Sequence, residues 1–305
     1  MAGFTNSING VWTFLEAQQG DYISFLYGAK VFNLYFVKGK EAIKDAETMP
    51  PWKPITFRQS GRTYYFPFRL HLIPVRRFEE SLVRAEFAYV AENLLLRGGY
   101  RKTHFQADQT TLQAVSQMGN LWNGHVNKLE APSYSTFVPR FTARRENQHI
   151  PEIFQLHEFI LQSLIRRYLC DSDNLEKLLL GIGIKGISAE DFEILGEKAF
   201  PEGLVDILIK EAVPIGMARK IIAEVKTGAA KEQDIAQLTA YRGEIAEECI
   251  AVVLIAKRFS SQVLKYAEKE RIKLARYAFD RSDETNDFYT FDELLRSLSL
   301  EVFAP

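Results

Sequence analysis

Apolar residues run along this chain in stretches whose period and punctuation predict its elements. Leu204 to Ile209 is an apolar run interrupted by Asp206, and Ile221 to Val225 is a second run that closes on Glu224-Val225-Lys226. A loop with the turn residues Pro214 and Gly216 separates them, so the two read as neighbouring antiparallel strands. Lys226-Thr227-Gly228 ends the second strand, and Ala229 to Tyr241 reads as a helix. Ile250 to Ile255 is a buried strand by composition. Ser260 to Arg276 reads as a helix on the spacing of Val263, Leu264, Ala267, Ile272 and Leu274. Upstream, a helix is expected from about Pro151, a favoured first-turn residue, with Ile153, Phe154, Leu156, Ile160, Leu164, Ile165 and Tyr168 as its apolar stripe. A short helix and a Gly-rich turn follow between Asp171 and Gly186, and Phe291 to Leu298 suggests a last amphipathic helix.

The N-terminal part is patterned differently. Gly20 to Gly28 reads as a turn and a strand, Val31 to Val37 as a second strand, and Tyr64 to Ile73 as a third. Lys40 to Ala46, Glu79 to Arg84 and Glu86 to Arg97 are helical candidates, and Pro50-Pro51-Trp52 breaks the chain between strands. The 305 residues divide on this reading into a β-rich domain over 1–120, a linker over 121–150 and an α/β domain over 151–305.

Composition narrows the class without naming it. A 47% hydrophobic content is that of a globular protein, and a formal net charge of −1 excludes a uniformly basic nucleic-acid binder. Cys170 and Cys249 lie in or beside apolar segments and read as reduced core residues, with no Cys/His spacing for zinc. No basic-then-apolar leader opens the chain and no segment carries ~18 continuous apolar residues. The expectation is a cytoplasmic protein with no membrane partner.

Chemistry concentrates between Asp206 and Tyr241. Glu224-Val225-Lys226 is the sole Asp/Glu-x-Lys triplet in the sequence, and it closes an apolar strand. Strand alternation puts Glu224 and Lys226 on one face. A carboxylate on a buried strand face is costly unless it is paired or metal-bound. Asp206 and Glu224 on adjacent strands make a two-carboxylate site suited to a hard cation such as Mg²⁺, with Lys226 to hold a water or a phosphate. Gln237 and Tyr241, four residues apart, share a face of the following helix. Against this stands an edge hairpin with its charges in water.

This set, Asp206, then Glu224-Val225-Lys226, then Gln237-Leu238-Thr239-Ala240-Tyr241, resembles the PD-(D/E)XK nuclease superfamily and the Q-x-x-x-Y motif of its RecB-like branch. The resemblance implies a mixed sheet flanked by helices, with Asp206 and Glu224 as metal ligands and Lys226, Gln237 and Tyr241 completing the catalytic set. The metal the resemblance implies is Mg²⁺, with Mn²⁺ as its substitute. In RecB-like and Mrr-like nucleases a glutamate of the preceding helix often joins the metal; Glu158 is the candidate, with Glu152 its competitor and a solvated face the bland reading.

The N-terminal half resembles the PUA-like superfamily, in its EVE and YTH branches, over residues 8 to 115. The residues concerned are Gly20-Asp21, Phe25-Leu26-Tyr27, Trp52 and Tyr65-Phe66-Pro67-Phe68-Arg69-Leu70. The resemblance implies a small barrel that holds a flipped, modified base, which must repay its lost stacking on aromatic rings. Trp12, Phe25, Tyr27 and Trp52 are the base-binding candidates, against the alternative that they are barrel core. Arg140, Arg144 and Arg145 give the linker a basic patch, with Glu146 as its nearby acid, that suits a DNA backbone or simply a solvated linker.

Together the two resemblances imply a Mg²⁺-dependent endonuclease on double-stranded DNA carrying a modified base, acting as a homodimer in modification-dependent restriction. Three alternatives stay open. The Glu-x-Lys and Gln-Leu-x-x-Tyr segment also resembles mismatch nucleases of the NucS/EndoMS type. A nuclease fold without activity would leave a nucleic-acid-binding protein. The PUA-like half serves RNA as well as DNA in its superfamily.

Overall fold

The computed structural model describes residues 1–27, 30–82, 104, 106–126, 129, 132–200, 203–213, 216–280 and 287–303. The chain divides into two compact units. One comprises Met1–Thr103, Thr111–Gln155 and Asp287–Thr290; the other comprises His104–Thr110, Leu156–Asn286 and Phe291–Pro305. Among the described residues no helix is long and apolar enough to cross a membrane.

The N-terminal unit opens with β1 (Ala2–Phe4), α1 (Ile8–Glu16), β2 (Tyr22–Ile23), β3 (Leu26–Tyr27) and β4 (Lys30–Ile43). Next come β5 (Ile55–Thr56), β6 (Thr63–Tyr64), β7 (Phe68–Leu82), α2 (Gln109–Gln117) and β8 (Asn120–Leu121). β9 (Thr136–Phe137), β10 (Arg140–Thr142) and β11 (Ile153–Gln155) follow. The frame is the long antiparallel pair of β4 and β7, with β1 and β8 on β7 and β2, β3 and β9 on β4. Two expected helices are absent from it. Lys40 to Ala46 was expected helical, yet β4 continues to Ile43 because Lys40 pairs with Leu70 and Ala42 with both Phe68 and Phe137. Glu79 to Arg84 was expected helical too, but β7 extends to Leu82, which pairs with Val31. Cross-strand partners override a weak local propensity in both places. The Glu86 to Arg97 candidate lies outside the described residues. Within 121–150, read as linker, β9 and β10 are strands of this unit, and Ile153 to Gln155 pairs in parallel with β10.

α1 is held at both ends. Ser7 caps its start, accepting from the Gly10 amide. At its C-terminus the Lys40 ammonium donates to the carbonyls of Phe14 (2.8 Å), Leu15 (3.3 Å) and Ala17 (2.6 Å). A cation there satisfies orphan carbonyls and complements the helix dipole. Lys40→Met is therefore expected to cost about 2 kcal/mol, from lost charge-assisted bonds and unsatisfied carbonyls. Chemical denaturation monitored by circular dichroism measures it, and a midpoint unchanged from wild type refutes the cap.

The second unit contains α3 (Glu158–Leu169), α4 (Ser172–Gly181), β12 (Phe192–Phe200), β13 (Gly203–Glu211), β14 (Lys220–Ala229) and α5 (Glu232–Ile245). β15 (Cys249–Arg258), α6 (Ser261–Glu270) and β16 (Lys273–Phe279) continue it. β17 (Tyr289–Thr290) pairs with β10 in the first unit; α7 (Phe291–Ser297) and β18 (Leu298–Phe303) complete the second. Its sheet has the order β12-β13-β14-β15-β16-β18. β12, β13 and β14 are antiparallel, β14, β15 and β16 run parallel through the crossovers α5 and α6, and β18 closes the edge antiparallel. Parallel neighbours require such helical crossovers. Ile235, Leu238 and Tyr241 of α5 and Val263 and Ala267 of α6 are buried with Leu208, Ile222, Leu254 and Leu274 of the sheet in one core.

Several boundaries differ from expectation. The helix expected from Pro151 begins at Glu158, because Ile153 to Gln155 is recruited as β11 and His157 caps α3 through Nδ1. The helix expected to reach Arg276 stops at Glu270. Arg271 takes a left-handed conformation (φ 54°), and Leu274 joins a strand paired with Leu254 and Phe303. Cys170 is exposed at the end of α3, not core, and Cys249 is half-buried; neither is in a disulfide. Burial pushes the Cys249 thiol up to about 11, which keeps it protonated and unreactive at neutral pH.

Candidate active site

The site forms where β13 and β14 separate. Their ladder pairs Lys210 with Lys220 through Ile207 with Ala223. At the next position Asp206 Oδ2 accepts from the Val225 backbone amide at 2.8 Å. A side chain thus satisfies a buried amide beside the point where the β13–β14 pairing stops, as buried backbone demands. This fixes one Asp206 oxygen against β14.

Glu224 lies next to it, 2% exposed, against 7% for Asp206. Glu224 pairs with Leu254 in β15 and Lys226 with Ala256, so both strand residues sit within the sheet and not on a free hairpin. The edge-hairpin reading is excluded by that burial. The Lys226 ammonium donates to Glu224 Oε1 at 2.9 Å and to Glu158 Oε1 at 3.2 Å, where Glu158 is the first residue of α3. Three carboxylates and one ammonium are thereby gathered from β13, β14 and the start of α3. Glu224 Oε2 is buried and has no hydrogen-bond partner among the described residues.

Burial pushes the Glu224 carboxyl up to about 8, and the Asp206 charge adds to the rise, outweighing the opposing effect of Lys226. Burial alone would lower the Lys226 ammonium, but Glu224, Asp206 and Glu158 outweigh it and hold it above its usual value. The pair is one coupled unit. With a single ammonium among three acids, the carboxyl is the group that stays protonated at neutral pH.

Gln237 and Tyr241 act together. Gln237 Nε2 donates to the Tyr241 hydroxyl at 2.7 Å, and that hydroxyl donates to the Leu204 carbonyl at 3.1 Å. Tyr241 is 2% exposed. The pair ties α5 to the start of β13, two residues before Asp206. The hydroxyl faces the protein and anchors the Asp206 strand. Tyr241→Phe is expected to lower stability by about 1 kcal/mol, the net value of one such bond. A denaturant midpoint checks this, and equality with wild type removes the anchoring role.

The donors fit a hard divalent cation in chemistry: carboxylate oxygens, one of them orphaned and buried. Among the described residues no group of three or more His, Cys, Asp or Glu already converges on one point as a metal cage. Lys226 stands between Glu224 and Glu158 instead. Asp206 and Glu224 are accordingly the nearest to a ligand pair, with Glu158 reached through the lysine.

The candidates outside this unit are not similarly gathered. Trp12 is 1% exposed in α1 and lies in the core. Phe25 is 40% exposed, with its ring 5.9 Å from that of Tyr35. The Tyr27 side chain lies outside the described residues. Trp52 is half-buried; its ring lies 5.6 Å from Phe66, under the Arg69 guanidinium, and so close to Gly3 that a Cβ there would approach it to 2.5 Å. Arg140, Arg144 and Arg145 are exposed. Arg144 pairs with Asp287 at 3.4 Å, an acid the sequence placed far away, so the patch is less basic than the local sequence implies.

Sequence reasoning missed the Val225 amide and the Leu204 carbonyl, since backbone groups leave no residue signature. It also missed β12, whose Glu193 joins Asp108 around the Lys210 ammonium at 3.3 and 2.7 Å.

No protein-family profile matches the chain, and no curated protein does. Parts of solved structures resemble it. A complex of EndoMS with double-stranded DNA is 22% identical over 33% of this chain and 42% of that one, with a TM-score of 0.24. A repair endonuclease from Pyrococcus abyssi is 19% identical over 34% and 45%, at 0.24. EndoMS in its apo form is 17% identical over 34% and 44%, at 0.22. The chain thus spans under half the length of each of these structures. The functional reading therefore stands on the site residues themselves.

Proposed function

We propose that the second unit is the catalytic centre of a Mg²⁺-dependent DNA endonuclease. The observation that carries this is Glu224, buried beside Asp206 with one carboxylate oxygen unpartnered and Lys226 at hydrogen-bond distance. Structural economy does not explain such a group, because a buried unsatisfied carboxyl is costly without a ligand. Asp206 and Glu224 would hold the cation, with Glu158 completing the acidic shell. When bound, Mg²⁺ supplies Lewis-acid polarisation of a phosphodiester and lowers the pKa of a bound water.

The chain's own residues do the rest. Lys226 stays charged at neutral pH, so it donates a hydrogen bond to a phosphate oxygen or an attacking water and does not accept a proton. Its role is electrostatic, not that of a general base. Gln237 and Tyr241 hold the entry to β13, and with it Asp206.

The N-terminal unit is proposed as the substrate reader. Of its aromatic candidates, Phe25 is exposed and Trp52 half-buried, and both are proposed to stack on a base. Modification-dependent restriction follows from joining such a reader to a nuclease, and cutting both strands calls for two catalytic centres, hence a homodimer.

The test is cleavage of one plasmid with Mg²⁺, prepared unmethylated, adenine-methylated and cytosine-methylated, with Asp206→Ala as control. Cutting of a methylated form alone, lost in the variant, supports both parts. Equal cutting of all three keeps the nuclease, removes the methyl-dependent reader and turns attention to mismatched duplexes. Absence of cutting on these and on mismatched duplexes would leave a binding protein.

A further inference from the structure

The carboxyl ends of the parallel strands carry basic side chains that the catalytic reading does not use. Lys226 of β14 pairs with Ala256 of β15, which pairs with Arg276 of β16. Directly paired residues share a sheet face, so Lys226 and Arg276 flank the small Ala256 on the same face. Neighbouring strands are ~4.8 Å apart, which places the two backbones about 10 Å from each other. Arg258 lies two residues beyond Ala256 along β15, about 7 Å further on and on that face again. Of the two irregularities in this ladder, the one near Arg258 puts the extra residue on β14, between Lys226 and Ala229, and the other lies at the far end, so β15 is regular from Ala256 to Arg258. Arg258 and Arg276 are both exposed. Among the described residues neither forms an ion pair. Arg276 is instead stacked 5.3 Å over the Phe303 ring, which limits the freedom of its guanidinium. Among the described residues the acids on this edge include Glu301, paired across from Arg276, Asp280 just past the end of β16, and Glu232 and Asp234 at the start of α5. Asp234 is engaged with the Lys231 amide.

A pair of exposed arginines without an ion pair among the described residues, beside the proposed catalytic centre, is suited to phosphate, since the planar guanidinium presents paired donors to phosphate oxygens. Ligands of open α/β sheets bind outside the carboxyl ends of the strands, where the N-termini of crossover helices also lie. Here α5 and α6 both begin at that edge, after β14 and β15.

We propose that Arg258 and Arg276 form a phosphate-binding rim along the carboxyl edge of β15 and β16, which leads the DNA backbone to Lys226. The assignment rests on the nuclease reading for its substrate, duplex DNA, but its test does not require cleavage.

The experiment is fluorescence anisotropy of a labelled DNA duplex with the full chain in EDTA, over a series of KCl concentrations. Replacing both arginines (Arg258→Ala with Arg276→Ala) is expected to weaken binding about tenfold or more. The slope of log affinity against log salt should fall by about two, one for each lost phosphate contact. The paired Arg→Lys variant keeps the charge and should recover most of that slope. Arg258→Glu alone, at an exposed position, covers the case in which the double variant unfolds, and it must weaken binding too. Affinity and salt slope equal to wild type overturn the rim. A tighter hold on single-stranded RNA than on the duplex, lost in the variants, overturns the DNA assignment. A wild type that binds but does not cut with Mg²⁺ sinks the nuclease reading and leaves the rim standing. A wild type that cuts while the arginine variants bind unchanged sinks the rim alone.

Discussion

Glu224→Gln is expected to lower Mg²⁺-dependent cleavage by at least about 1,000-fold while the protein stays folded. Glutamine has nearly the shape of glutamate, so the packing of β14 between β13 and β15 is preserved. What is lost is the negative charge that a metal requires and the oxygen that has no partner among the described residues. A loss of about 4 kcal/mol in transition-state stabilisation corresponds to this factor. Single-turnover cleavage at saturating enzyme measures it, with circular dichroism to confirm the fold. Activity within tenfold of wild type would remove Glu224 from the chemistry and, with it, the nuclease proposal. Lys226→Met is a harsher change, since it also strips Glu224 and Glu158 of their shared cation. Its effects on rate and stability would not separate.

The second large effect concerns pH. In the metal-free protein the Glu224 carboxyl is raised from 4.5 to about 8, chiefly by burial and then by Asp206. Below about pH 4.5 folded and unfolded chains both carry this proton, and its stabilising contribution is complete. Between there and about pH 8 the unfolded chain gives up the proton while the folded one retains it. The folded state then binds more protons, so stability falls as pH rises and levels off above the folded value. Lys226, raised from an ordinary 10.5, loses its contribution only above that value, outside this window. The expected result is that metal-free wild type loses about 2–4 kcal/mol between pH 5 and pH 8.5 relative to Glu224→Gln, after discounting a full shift for coupling to Lys226. Urea unfolding of both proteins in EDTA across this range gives the difference directly. Parallel pH profiles would show that Glu224 ionises normally. Mg²⁺ must displace the proton, so the stabilisation it adds should grow from pH 6 to pH 8 and vanish in the glutamine variant.

Asp206, Glu224 and Lys226 could be read from the sequence as neighbours because their signal is local. Asp206 stands out against an apolar run, and Glu224 and Lys226 share a face by alternation alone. The structure joins them to Glu158, which a helical position could suggest but could not bring within 3.2 Å of a lysine 68 residues later. The four aromatic candidates in the N-terminal half were less legible. Density of rings does not distinguish a pocket from a core, and Trp12 proved to be core. Boundaries failed where partners are distant. Lys40 to Ile43 and Ile153 to Gln155 become strands because β7, β9 and β10 lie alongside them.

The sequence by itself therefore determined the alternation of strands and helices around Asp206, Glu224 and Lys226, and the kind of chemistry those side chains suit. Period and residue type are properties of a short window. Tertiary structure alone decided the rest: that Asp206 takes the Val225 amide as the strands part, and that Tyr241 turns its hydroxyl to the Leu204 carbonyl. It also decided that Arg144 meets Asp287, and that one oxygen of Glu224 is left buried without a partner among the described residues. Each of these depends on backbone groups, or on residues far apart in the chain, whose meeting is fixed by packing and not by any pattern a window of sequence can carry.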